Sequence, residues 1–305
     1  MPGWPGLLLI IGGGVVAIGA LVAAELARRD QTDVDLATLG IVLLVGAVAF
    51  VSGLVYTAIR QLRVRSVLPP ERYRGPSVFV LLALALAVGA VLTAPFTDDA
   101  LALRSGDGEL SLLGSAVILV AAQAGLLIVG YLFVHRPRAL ATLPSLTGRD
   151  PLGAVLAGLR YGALAWLGSS VVLALVTGLL TALGQPRPVG PAAQALAVLD
   201  PWLLVAAIVG FAPIAEELFF RGIVFNAWLR EAGRVPAYIG SAALFALIHL
   251  SLASLLPIFL LGLALAWAYE RTGTLLVPIV MHATVNAISV AAALAFRFGV
   301  IDVRV

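Results

Sequence analysis

Long apolar runs, each closed by charged or turn-forming residues, set the rhythm of this chain. Runs near the roughly 20 residues needed to cross a bilayer fall at 6–24, 36–59, 78–96, 112–134 and 161–183. Four more follow at 202–229, 236–250, 255–269 and 274–296, the middle two being short. None shows the ten-residue alternation of a barrel strand, and backbone groups in lipid need partners within their own segment, so the pattern predicts helices. The expected fold is all-α, a polytopic transmembrane helix bundle of about eight to nine spans. No period of 20 to 50 residues suggests a repeat architecture. The first run lacks a basic leader and leads straight into further spans, which reads as a retained helix and not as a cleaved signal.

Composition agrees. The 305 residues are 61% hydrophobic and 11% charged, with a mean hydropathy of +1.08, outside the range of soluble domains. The net charge of +3 comes from arginine alone and is spread over the ends of the runs, so it implies loop placement and no nucleic-acid partner. With no cysteine, disulfides, thiolate metal sites and cysteine catalysis are excluded.

Arginine placement sets an expected orientation. Arg60, Arg63, Arg65, Arg72 and Arg74 follow the second run and Arg136, Arg138 and Arg149 the fourth, which puts those loops in the cytosol. Asp30, Asp33, Asp35, Asp98, Asp99, Asp107 and Glu109 mark the other side. The proline- and glycine-rich stretch at 184–191 and the run to Asp200 form the best internal boundary. Three units are expected: motif-free helices over 1–150, a fifth span and external linker over 151–200, and a motif-bearing core over 201–305.

That core holds the chemistry. Glu216, Glu217 and Arg221 lie inside an apolar run, His249 and His282 in two others. Charge facing lipid there costs roughly 2.5–3.5 kcal/mol per residue on insertion scales, so these groups need partners and mark a functional site. Glu217 and Arg221 are four apart and can pair on one helix face, while Glu216 points about 100° away toward the bundle interior. His282 and Asn286 share a face by the same spacing, as do Phe245 and His249, whose ring walls the site. Pro213 and Pro278, just ahead of the glutamates and of His282, are expected to bend both helices. If Trp202 marks the outer boundary, Glu216 lies about 21 Å in, nearer the cytosolic edge of a core about 30 Å thick.

Glu-Glu followed three residues on by Arg, then Phe with His four later, then His with Asn four later, on successive membrane helices, resembles the CPBP intramembrane proteases. That group includes the type II CAAX prenyl endopeptidases. The resemblance covers 202–296 and implies that Glu216 and His249 activate a water molecule while His282 and Asn286 stabilise the oxyanion. Glu217 and Arg221 fall on supporting positions. It implies an endopeptidase needing no cofactor, acting on a membrane-tethered or lipid-modified protein or peptide. The expected setting is a bacterial plasma membrane, with the site open to the cytosol.

Two other classes fit the same residues. A zinc protease would use Glu216, His249 and His282 as ligands, though no His-Glu-x-x-His is present and no separate base would remain. A proton-coupled transporter, or a catalytically silent immunity protein, would use the acid and imidazoles as proton sites, but the chain shows no internal symmetry of two halves.

Overall fold

A computed structural model describes residues 4–30, 36–93, 112–141, 145–184, 205–249 and 251–297. Within them the chain is helical. The elements are α1 (Trp4–Asp30), α2 (Leu36–Arg65), α3 (Val78–Thr93), α4 (Leu112–Gly130, prolonged by a π turn Tyr131–His135) and α5 (Pro151–Ala182). After these come α6 (206–231), α7 (Arg234–Leu247), α8 (Leu252–Thr272) and α9 (Leu276–Arg297). No strand occurs among the described residues; an isolated bridge joins Ser145 to Thr274. Five helices there, within α1, α2, α5, α8 and α9, are long and apolar enough to cross a membrane, and Val78–Thr93, Leu119–His135 and Arg234–Leu247 are shorter apolar helices. The fold is a helical membrane bundle. The linker beyond Gly184, the run to Asp200, Trp202, Leu250 and the acidic residues at 33, 35, 98, 99, 107 and 109 lie outside the described residues.

Several boundaries differ from the apolar runs. α2 extends to Arg65, so Arg60, Arg63 and Arg65 sit on the last turns of a helix and not in a loop. α5 starts ten residues before its expected span. The reason is local: Asp150 accepts from the Gly153 amide at 2.9 Å as an N-cap, and Pro151 opens the first turn, where its missing N–H costs nothing. Arg160 is therefore an exposed mid-helix residue, stacked on Tyr161, and not a helix start. Pro278 is the third residue of α9, in its first turn, where no intrahelical bond is lost, so the bend expected from it has no cause.

Small residues let the helices meet. α1 and α2 run antiparallel with Gly13 against Gly46 and Phe50 and Gly53 against Ile10. α3 and α4 pair likewise through Gly89, Ala122 and Gly125. On α5 the buried residues are Ala154, Gly158 and Gly162, one stripe at a spacing of four, lying on Val277, Val280, Met281 and Thr284 of α9. That contact fixes the helix carrying His282. The turn between α2 and α3 fixes the end of α6: Arg65 pairs with Glu231 at 2.6 Å and Arg72 donates to the Arg230 carbonyl. Tyr73 is buried beneath this turn, and burial, with Glu231 nearby, holds its phenol well above the ordinary value, hence neutral. Glu270 accepts from Arg234 and Tyr238 and ties the end of α8 to the start of α7.

Candidate active site

α6 carries Glu216, Glu217 and Arg221, and its backbone is irregular where they sit. It runs as a π segment (Ala206–Phe211), an α segment (Ala212–Phe219), a second π segment (Phe220–Phe225) and a last α turn (Asn226–Glu231). Such wide turns gather at functional sites. In the first, the Ala212 amide reaches back five residues to the Ala207 carbonyl. In that register the next amide would serve Ile208, but residue 213 is proline and has none. The Ile208 carbonyl is thereby open to another donor, and Asn286 Nδ2 donates to it at 2.9 Å. Just after the second π segment, the side-chain Nδ2 of Asn226 donates to the Arg221 and Gly222 carbonyls and to the Tyr269 hydroxyl.

Glu217 and Arg221 form the expected pair, at 2.8 Å, both fully buried. Each has a further partner. Arg221 Nη2 donates to the Gly262 carbonyl at 2.9 Å and its guanidinium lies 4.6 Å from the Phe245 ring centroid, a cation–π contact. α8 comes close enough because Gly262 lacks a side chain; a Cβ there would meet the Ala242 backbone at 2.9 Å. Gly210, by contrast, faces open space, and Gly222 makes ordinary contact. Glu217 Oε1 also receives the His282 ring, whose Nδ1 lies 3.0 Å away. A carboxylate only accepts, so Nδ1 carries the proton and Nε2 is left for chemistry. Glu217 is thus more than a helix clamp: it orients an imidazole on α9.

His282 Nε2 faces Glu216 Oε2 at 3.9 Å, too long for a direct hydrogen bond. Glu216 is 6% exposed; its Oε1 accepts from Gln123 Nε2 of α4 at 2.6 Å, and its Oε2 is buried without a protein partner. His249 sits on the turn that ends α7. The His249 amide bonds to Ala246, which frees the Phe245 carbonyl, and the ring of His249 takes it through Nδ1 at 2.7 Å. Its Nε2 is therefore the available nitrogen too. The Phe245 ring stands edge-on to both imidazoles, at 5.0 Å from His249 and 5.5 Å from His282.

The structure thus gathers Glu216, Glu217, Arg221, Phe245 and His282 into one buried cluster, places His249 across the Phe245 ring, and docks Asn286 on the backbone of α6. Motif reasoning missed Gln123, Asn226 and the carbonyls of Ile208 and Gly262. Gln123 left a signal, a lone carboxamide in the apolar run Val117–Gly130, whereas backbone carbonyls leave none. Among the described residues no three His, Asp or Glu side chains converge as a metal site. A cavity of about 340 Å³, lined by Leu126, Leu127, Val134, Leu218 and Ile223, lies beside α4 and α6.

Residues 198–288 match the family described as type II CAAX prenyl endopeptidase Rce1-like. A Bacillus subtilis (strain 168) protein named "Putative membrane peptidase YdiL" is 36% identical over 84 residues, 28% of this chain and 34% of that one. The matched stretch thus spans about a third of that relative. No solved structure matches. Over residues 198–288, under a third of the chain, the sequence is thus similar to the type II CAAX prenyl endopeptidases of the Rce1-like kind.

Proposed function

We propose that the protein is an intramembrane endopeptidase that hydrolyses a peptide bond in a membrane-tethered or lipid-modified protein or peptide. One observation carries this: a buried glutamate whose Oε2 has no protein partner and faces His282, with His249 across the Phe245 ring, and with Nδ1 of both imidazoles taken and Nε2 of both not. Water held between Glu216 Oε2 and His249 attacks the scissile carbonyl carbon as Glu216 takes its proton. The C–N bond breaks when that proton passes to the leaving amine. An Nε2–H on His282, whose ring Glu217 orients through Nδ1, and the second N–H of Asn286 would be the donors that face the developing oxyanion. The neighbouring cavity offers space to an apolar tail. The rows of arginine support a site opening to the cytosol of a bacterial cell.

Zinc is the second reading, favoured by one feature: an imidazole whose other nitrogen donates to a carboxylate or a carbonyl is the usual form of a zinc ligand. Two experiments decide. Membranes from cells with wild-type and Glu216→Gln protein are compared by proteomics; uncut tails accumulating in the variant are the expected result, and identical membranes refute a protease. Elemental analysis of active protein tests the metal: one stoichiometric zinc, lost with activity to a chelator and restored with it, would overturn the metal-free mechanism.

A further inference from the structure

Glu216 is held from outside the family match. Gln123 lies on α4, about 75 residues before the matched stretch, in the otherwise apolar run VILVAAQAGLLIVG. Its Nε2 is 2.6 Å from Glu216 Oε1, a donor meeting an acceptor across two helices separated by 93 positions in sequence. The other Glu216 oxygen is the one that faces His282. A carboxylate on a flexible stem turns about its last bonds, and a bond to one oxygen fixes where the other points. A carboxamide in a membrane helix is also costly unless paired, so its presence at this level has a reason.

We propose that Gln123 is a positioning residue for the reaction, which directs Glu216 Oε2 at the nucleophilic water. It does not touch the substrate. This rests on the reading of Glu216 as the base, and gives the motif-free N-terminal part a direct role in the site. The nearby charged and titratable groups, Glu217, Arg221, His249 and His282, are each held by other partners, so Gln123 is the side chain that restrains Glu216.

Gln123→Met is the test, since methionine keeps length and volume and removes the amide. In proteoliposomes, with an internally quenched peptide carrying a farnesylated cysteine tail as probe, kcat falls about 10- to 100-fold at unchanged KM, the range for losing a hydrogen bond to a charged group. Infrared spectra give a readout independent of substrate. The Glu216 carboxylate band, assigned by its loss in Glu216→Gln, moves in Gln123→Met and in Gln123→Ala. A stationary band overturns the proposal, as does a wild-type kcat, or a loss confined to thermal stability. If Glu216→Gln itself cleaves the probe at the wild-type rate, the base assignment fails first. An inactive Glu216→Gln beside a normal Gln123→Met refutes the role of Gln123 alone. Gln123→Ala covers the case in which the Met variant does not fold.

Discussion

The α1–α2 hairpin and the α6–α9 core are both built of membrane-grade helices, yet they bury themselves to different degrees. Within their most apolar windows, 11% of α1 and 17% of α2 is buried inside the protein, against 50% of α8. The hairpin meets itself along glycines and exposes Leu, Ile and Val outward. In the core, two glutamates, an arginine and a histidine are buried against one another. Lipid asks of the first region only that it be apolar and able to approach its neighbour closely. The second satisfies charge inside hydrocarbon, which takes specific partners at specific distances.

Removing one of those partners is expected to have the largest effect. Arg221→Ala leaves Glu217 as an uncompensated buried charge and frees the ring of Phe245, at a cost of about 3–5 kcal/mol, read as lost thermal stability or yield in detergent. Glu216→Gln, which keeps shape and hydrogen bonding, is expected to be much milder in stability; the reverse ranking would exchange the roles of the two glutamates. Its effect is on turnover, a fall of about 100-fold or more with substrate binding retained, as for removal of a general base.

The contact of α5 on α9 sits between the two regimes. Gly162→Val drives a branched side chain into Thr284 and the Met281 carbonyl, and overpacking of this kind costs about 1–3 kcal/mol. Because α9 carries His282, activity at permissive temperature should fall too; loss of stability alone would separate the contact from the site. The smallest effect belongs to the hairpin. A methyl group placed on Gly12 would meet nothing within 4 Å, so Gly12→Ala should gain up to about 1 kcal/mol of helix stability and leave turnover unchanged. A sizeable loss would show that α1 packs against something beyond α2.

The bundle and most of the site are legible in the sequence, and the reasons are physical. Apolar runs locate helices because lipid demands them, and the spacing of four between Glu217 and Arg221 suffices to find a pair that one helix makes by itself. The His282–Glu217 bond is not legible, because 65 residues separate its partners and no periodicity carries that register. Nor is the docking of Asn286, since it depends on a backbone carbonyl made available by a wide turn. The early start of α5 is written in Asp150-Pro151, but hydropathy outweighs a cap when spans are drawn. The arginines of α2 fall in a loop by hydropathy for the same reason: a helix continues after its lipid ends.

The wide turn ahead of Pro213 also says how this site tolerates change in chain length. A π turn is an α turn with one residue too many. Removing Gly210 would heal it, and counting back four residues from Pro213 in the shortened chain again reaches Ile208, so Asn286 would keep its carbonyl. Removing Ala215, between the proline and the glutamates, would instead turn the Glu216 carboxylate by about 100° away from His282. Single-residue gaps should therefore be neutral on one side of Pro213 and ruinous on the other. Turnover of the two deletion variants tests this: activity close to wild type without Gly210 and none without Ala215 is the expected pair, and equal losses would mean that the extra residue is itself required.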